Sequence, residues 1–174
     1  VCIGRLSTGV APVCSEPLLG PAEVLAWRPD GGAIAARIRD QGTTRLAILD
    51  VGPVGPPVAR LTMHAAFDIE ARLPIVYSLD GTTLFVGDVR GRIGRYETKY
   101  GQPRGSPWPA HGFAVTVLDR AQNGELVSAG GDGSVVRWRI GRPPVLARRL
   151  HEGVDSFDWQ SEPWGLALAT DDQV

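Results

Sequence analysis

The feature that most constrains this chain is a strand–turn unit of about 43 residues that recurs along its 174 residues. The clearest copy spans 111–142, HGFAVTVLDRAQNGELVSAGGDGSVVRWRIGR. Residues 114–119 alternate as a strand does. Asn123-Gly124 is a hairpin turn, because both residues tolerate positive φ. Residues 126–129 form the second strand, Asp132-Gly133 the second turn and 134–140 the third strand. In that third strand Val136, Trp138 and Ile140 fall on one face and Val135, Arg137 and Arg139 on the other.

The same layout recurs upstream. Residues 23–52 have turns at Asp30-Gly31 and Gln41-Gly42, and residues 74–98 have turns at Asp80-Gly81 and Arg90-Gly91. A fourth copy opens at 151. The first-turn glycines Gly31, Gly81, Gly124 and Gly165 stand 50, 43 and 41 residues apart. The three histidines His64, His111 and His151 stand 47 and 40 apart and are expected at one place in successive repeats. The 22 glycines and 14 prolines suit many short strands joined by turns. Eighteen basic against 19 acidic residues leave a net charge of −1, which gives no electrostatic drive toward nucleic acid or an anionic membrane. No run of apolar residues is long enough for a transmembrane helix. Lys99 is the only lysine, a bias that reads as a GC-rich, bacterial-type genome.

A period of about 40–45 residues with four strands per unit is the mark of a propeller blade. The chain resembles the WD-repeat β-propeller family through His111, Asn123-Gly124, Ser128, Asp132-Gly133 and Trp138, and through the turns Arg28-Pro29-Asp30-Gly31 and Leu79-Asp80-Gly81. The closing pair of each blade varies: Leu49-Asp50, Tyr96-Glu97 and Trp138-Arg139. The resemblance covers essentially the whole chain, with 111–150 nearest the family pattern. It implies an all-β fold of four-stranded antiparallel blades, an open arc in preference to a closed four-bladed ring. The segments expected are a half blade at 1–20, blades at 21–62, 63–110 and 111–150, and a half blade at 151–174.

The resemblance also implies that His111, Ser128, Asp132 and Trp138 form the family's structural tetrad. In it the aspartate binds the histidine ring, the histidine binds the serine, and the serine binds the indole N–H. A serine, histidine and aspartate also invite a hydrolytic triad. That reading fails because Ser128 lies mid-strand, tied to an indole, with no oxyanion hole in prospect. The blades with Val86 and Tyr96 in place of Ser128 and Trp138 are expected to rest on apolar packing.

No catalytic residue is therefore expected, and no cofactor. The histidines lack metal-ligand spacing, so no metal site is expected either; Asp171-Asp172 reads as a turn. Arg90, Arg92, Arg95, Arg137, Arg139 and Arg142 read as a solvated outer face. Trp138 is expected in the core, Trp27 and Trp159 in blade packing, and Trp108 and Trp164 beside Pro-rich turns as candidate contacts. Cys2 and Cys14, equidistant from Thr8, are placed to face each other across a hairpin, and are read as reduced core thiols of a cytoplasmic protein.

In the family, partners dock on the face that holds the loops before first strands and between second and third strands. By resemblance this maps to 111–114, 130–133, 151–154 and 170–173, with Phe113, Ala114, Gly131, Gly153 and Asp171 as partner-binding residues. The expected function is a protein-interaction scaffold or sensor in a larger bacterial signalling protein, not an enzyme. It would bind other proteins or domains of its own polypeptide, and neither nucleic acid nor membrane. The alternative is the propeller of a hydrolase, peptidase or periplasmic translocation-type protein, which the segment 26–52 resembles.

Overall fold

A computed structural model of the chain describes residues 1–3, 12–15, 18, 20–40, 43–51, 58–64, 74–121, 123–139, 145–149, 156–160 and 165–169. Sixteen strands are named among them, and no helix occurs among the described residues. They are β1 (Cys2–Ile3), β2 (Val13–Cys14), β3 (Ala22–Trp27), β4 (Ala33–Asp40), β5 (Thr43–Asp50), β6 (Val58–His64), β7 (Ile75–Tyr77) and β8 (Thr83–Gly87) in the first half. The second half holds β9 (Arg92–Glu97), β10 (Trp108–Pro109), β11 (Val115–Arg120), β12 (Leu126–Gly130), β13 (Ser134–Trp138), β14 (Val145–Arg149), β15 (Ser156–Gln160) and β16 (Gly165–Ala169). Strands β3 to β6, β7 to β10 and β11 to β14 make three four-stranded antiparallel meanders. Strands β1–β2 and β15–β16 are separate two-stranded sheets, and no ladder joins them among the described residues.

One turn is built three times. Arg28, Ser78 and Ala121 accept the N–H of Gly31, Gly81 and Gly124 at 2.9 Å each. The three glycines hold φ of 72°, 68° and 83°, a region that side chains with a Cβ rarely enter. The side-chain oxygen of Asp30, Asp80 and Asn123 then accepts the N–H two residues on, at 2.8, 3.0 and 3.0 Å. Asp-Gly and Asn-Gly therefore fix the register of first and second strands by the same local chemistry.

The sheets stack face to face through three apolar clusters. Ala33, Ala35, Leu46 and Ile48 of the β3–β6 sheet meet Ile75, Tyr77, Leu84, Val86 and Tyr96 of the next. Phe85 and Ile93 on the opposite face of that sheet meet Val115, Leu118, Leu126, Val136 and Trp138. Strands β8 and β12 are buried along their whole length because each lies mid-sheet and is covered on both faces.

The third cluster exposes a difference between repeats. Leu25 pairs with Ala36 and Trp27 with Ile34, as Ile75 pairs with Val86 and Tyr77 with Leu84. Yet Ile75 and Tyr77 are 6% and 1% exposed, whereas Leu25 and Trp27 are 51% and 52% exposed. Among the described residues, Val1 and Leu18 pack on that face, over Ala36, Ile38, Ala47 and Leu49. Trp27 is thus not blade packing as expected: Val1 and Leu18 pack on the central strands β4 and β5, and Trp27 on β3 stays half exposed.

Two further expectations change. His64 is the last residue of β6, paired with Arg45, whereas His111 precedes β11. The two histidines do not share a place in the repeat, and the β3–β6 sheet runs two residues past the boundary expected at 62. Cys2 and Cys14 do face each other, but they are exposed and joined as a disulfide, not reduced core thiols.

Candidate functional site

His111, Ser128, Asp132 and Trp138 converge on the second turn of the β11–β14 sheet. The Trp138 Nε1–H donates to Ser128 Oγ at 2.9 Å. Ser128 Oγ stands 2.7 Å from His111 Nε2, and Ser134 Oγ stands 2.6 Å from His111 Nδ1. The Ser134 hydroxyl in turn donates to Asp132 Oδ1 at 2.6 Å. With that hydrogen committed to Asp132, His111 Nδ1 must be the donor to Ser134, and Nε2 the acceptor from Ser128. All four hydrogens then run in one direction, from indole to carboxylate.

Ser134 is the member the sequence reading missed. Asp132 Oδ1 is 3.4 Å from His111 Nδ1, so the aspartate binds the ring chiefly through this hydroxyl. The signal was the serine directly after Asp132-Gly133. Gly130 was missed as well: a Cβ there would lie 2.5 Å from His111 Cγ, so only glycine leaves room for the ring.

The electrostatics follow from burial. The His111 side chain is fully buried, and burial pushes its pKa below the usual 6.5 despite the nearby Asp132. Burial alone would raise the Asp132 carboxyl. The Gly112 N–H, the Ser134 hydroxyl and N–H, and His111 outweigh it and hold the pKa at about 2. The result is a neutral imidazole bound to an ionised carboxylate, in a core where unsatisfied polar groups are costly.

This network anchors a loop. Asp132 Oδ2 accepts the Gly112 N–H at 2.8 Å, and Ala114 O accepts the Gly131 N–H at 3.0 Å. The preceding sheet holds the other side. Gly91 O accepts the N–H of Ala110 at 3.0 Å and of His111 at 2.9 Å, and Asp88 O accepts that of Val115 at 3.0 Å. A Cβ on Gly91 would lie 2.1 Å from His111 O, so this approach requires glycine. The loop clamped between the two turns displays Phe113, which is 66% exposed, with Gly131 also exposed and Ala114 half-buried beside it. Gly153 and Asp171, the other expected contacts, lie outside the described residues.

The β7–β10 sheet does not rest on apolar packing alone. Asp88 is fully buried and accepts the N–H of Arg90 at 2.9 Å and of Arg92 at 2.8 Å, and Arg92 Nε at 2.6 Å. The arginines expected as one solvated face divide. Arg92 binds Asp88, Arg137 and Arg139 bind Glu125, and Arg95 lies over Trp108. Arg90 is exposed, and Arg142 lies outside the described residues. Trp108 is stacked on Trp138, ring centroids 5.2 Å apart, and Trp138 is buried as expected.

No family model matches the chain, and no curated protein matches it. The solved structure of the Dos1 propeller is similar, with a TM-score of 0.68 at 13% identity over 97% of this chain and 42% of that one. The fold is a β-propeller. The three four-stranded sheets are its blades, and the chain spans less than half the length of the propeller it matches. Identity this low carries the fold and nothing about function.

Proposed function

We propose that the chain is a segment of a WD-repeat-type propeller that serves as a protein-interaction scaffold, docking a partner protein or domain on the face that displays Phe113. The observation that carries this reading is the hydrogen-bonded chain from Trp138 to Asp132, which fixes an otherwise exposed aromatic loop. A rigid aromatic anchor loses little entropy on binding, which is why such residues dominate interface energetics. The serine, histidine and aspartate of this network are spent on holding the blade, so no reaction is assigned to them. The exposed Cys2–Cys14 disulfide supports an oxidising compartment over the cytoplasm. The periplasmic translocation-type alternative shares that setting.

The test is affinity capture on the wild-type chain and on Phe113→Glu, followed by titration of the purified captured protein. The expected result is about tenfold or greater weakening with Phe113→Glu while the melting curve stays in place. Equal affinity of both proteins, or no specific capture, sinks the reading.

A further inference from the structure

A cleft of about 700 Å³ opens between the β7–β10 and β11–β14 blades, at the end that carries their first turns. By strand topology this is the end opposite the Phe113 loop. Its floor is aromatic: the Phe85 and Trp108 rings lie 5.9 Å apart, and Trp108 is backed by Trp138. Leu79, half exposed, stands at the lip.

The charges of the cleft are unevenly committed. Asp80 already accepts the Ser78 hydroxyl at 2.6 Å and the Thr82 N–H at 3.0 Å. Glu125 already takes Arg139 and Arg137. Arg95 has no such carboxylate among the described residues. Its Cζ lies 4.4 Å from the Trp108 centroid, its Nη2 donates to Ser106 O at 3.0 Å, and its Nε is buried with no hydrogen-bond partner. Burial also lowers the Arg95 pKa, the response of a cation short of compensation. Arg104 lies exposed in the same wall, its N–H bound to Arg95 O at 2.8 Å.

We propose that this cleft is a second binding site, for an acidic peptide segment whose carboxylate meets Arg95, held on the Trp108 ring, and Arg104, while a neighbouring apolar side chain packs on the half-exposed Leu79 at the lip. Arginine presents a planar fork that fits a carboxylate in bidentate fashion, and an aromatic face below it is the usual support. A free phosphate would meet the arginines but leave Leu79 bare. An uncharged apolar segment would leave the Arg95 guanidinium desolvated and uncompensated. The site is separate from the Phe113 face and stands or falls independently of it.

The experiment is fluorescence anisotropy of the whole chain with a fluorescein-labelled octapeptide bearing a central glutamate pair flanked by leucine and phenylalanine. Saturable binding is expected, weakened about tenfold or more when glutamine replaces glutamate, and as much by the double variant Arg95→Gln, Arg104→Gln. Leu79→Ser should weaken binding severalfold, Arg95→Lys should retain part of it, and Phe113→Glu should leave it unchanged. Thermal melts of each variant establish that the blade remains folded. The proposal is overturned by no saturable binding of the acidic peptide or by equal affinity for the glutamine form. Loss through Phe113→Glu in place of the arginine variants would overturn it too.

Discussion

The blades β7–β10 and β11–β14 secure their second turns by different chemistry. The turns themselves superimpose in hydrogen bonding: Gly91 donates to Asp88 O at 3.2 Å, as Gly133 donates to Gly130 O at 3.0 Å. In this register Val86 stands for Ser128, Tyr96 for Trp138, Asp88 for Gly130, Arg90 for Asp132 and Arg92 for Ser134. One blade carries its carboxylate at the strand end and fills the space of the tetrad with apolar groups. The other carries it two positions on and fills the space above Gly130 with the His111 ring. The fold demands that the turn N–H groups be capped and the interior filled; it does not demand one particular set of residues. The third blade goes further, with Ala36 and Leu49, both buried, at the positions of Ser128 and Trp138.

This comparison is broken most forcefully at Trp138. Trp138→Ala removes a buried ring, its stacking partner for Trp108 and the donor to Ser128, and is expected to cost about 3–5 kcal/mol in urea melts. A cost below about 1 kcal/mol would mean that the polar blade does not depend on its tetrad.

Asp88→Ala comes next. It strips a fully buried carboxylate from two backbone N–H groups and from Arg92. Each uncapped buried donor costs about 1–3 kcal/mol, so a loss near 3 kcal/mol is expected, above that of the partly exposed Asp132→Ala. Asp88→Asn, which keeps an acceptor, should recover part of it. If Asp88→Ala proves harmless, the apolar blade needs no cap and the parallel fails.

The effect of pH separates the two blades. The folded pKa of His111 lies below 6.5, so the folded state binds fewer protons than the unfolded chain. Its contribution is complete above about pH 6.5 and is lost as the pH falls through the lower folded value. Asp132 follows at more acid pH: with a folded pKa of about 2 against 3.8, its stabilisation holds above 3.8 and fades toward 2. That shift is worth at most about 2 kcal/mol. Urea melts of the wild type should therefore weaken between pH 7.5 and 5.5, and those of His111→Gln should weaken less. An identical slope in both proteins would show that His111 is not the group that titrates.

Much of this was legible in the sequence because it is local. Asp-Gly and Asn-Gly dictate a positive φ and a side-chain cap wherever they occur, and all three described first turns obey. The tetrad was legible by resemblance, since its members keep their order within one blade. What escaped depends on neighbours. The histidine spacing suggested one repeat position for His64 and His111, but spacing cannot tell the end of a fourth strand from the loop before a first. The exposure of Trp27 depends on what lies on the other side of β3, which its own strand cannot reveal. Asp88 was hidden because an acid at a strand end reads as solvent-facing until the blade beside it is in place.

The smallest expected effect sharpens the comparison best. Arg90 occupies the turn position of Asp132, so a blade that merely repeated its neighbour would suffer at either residue. The Arg90 side chain is exposed, and its backbone N–H is capped by Asp88, a bond that alanine preserves. Arg90→Ala should therefore stay within about 0.5 kcal/mol of the wild type, as surface substitutions usually do. Asp132→Ala removes the acceptor for Gly112, the partner of Ser134 and the charge beside His111 together. If urea melts rank Arg90→Ala as the costlier of the two, the register that aligns these blades is wrong. The capping role assigned to Asp88 then falls with it.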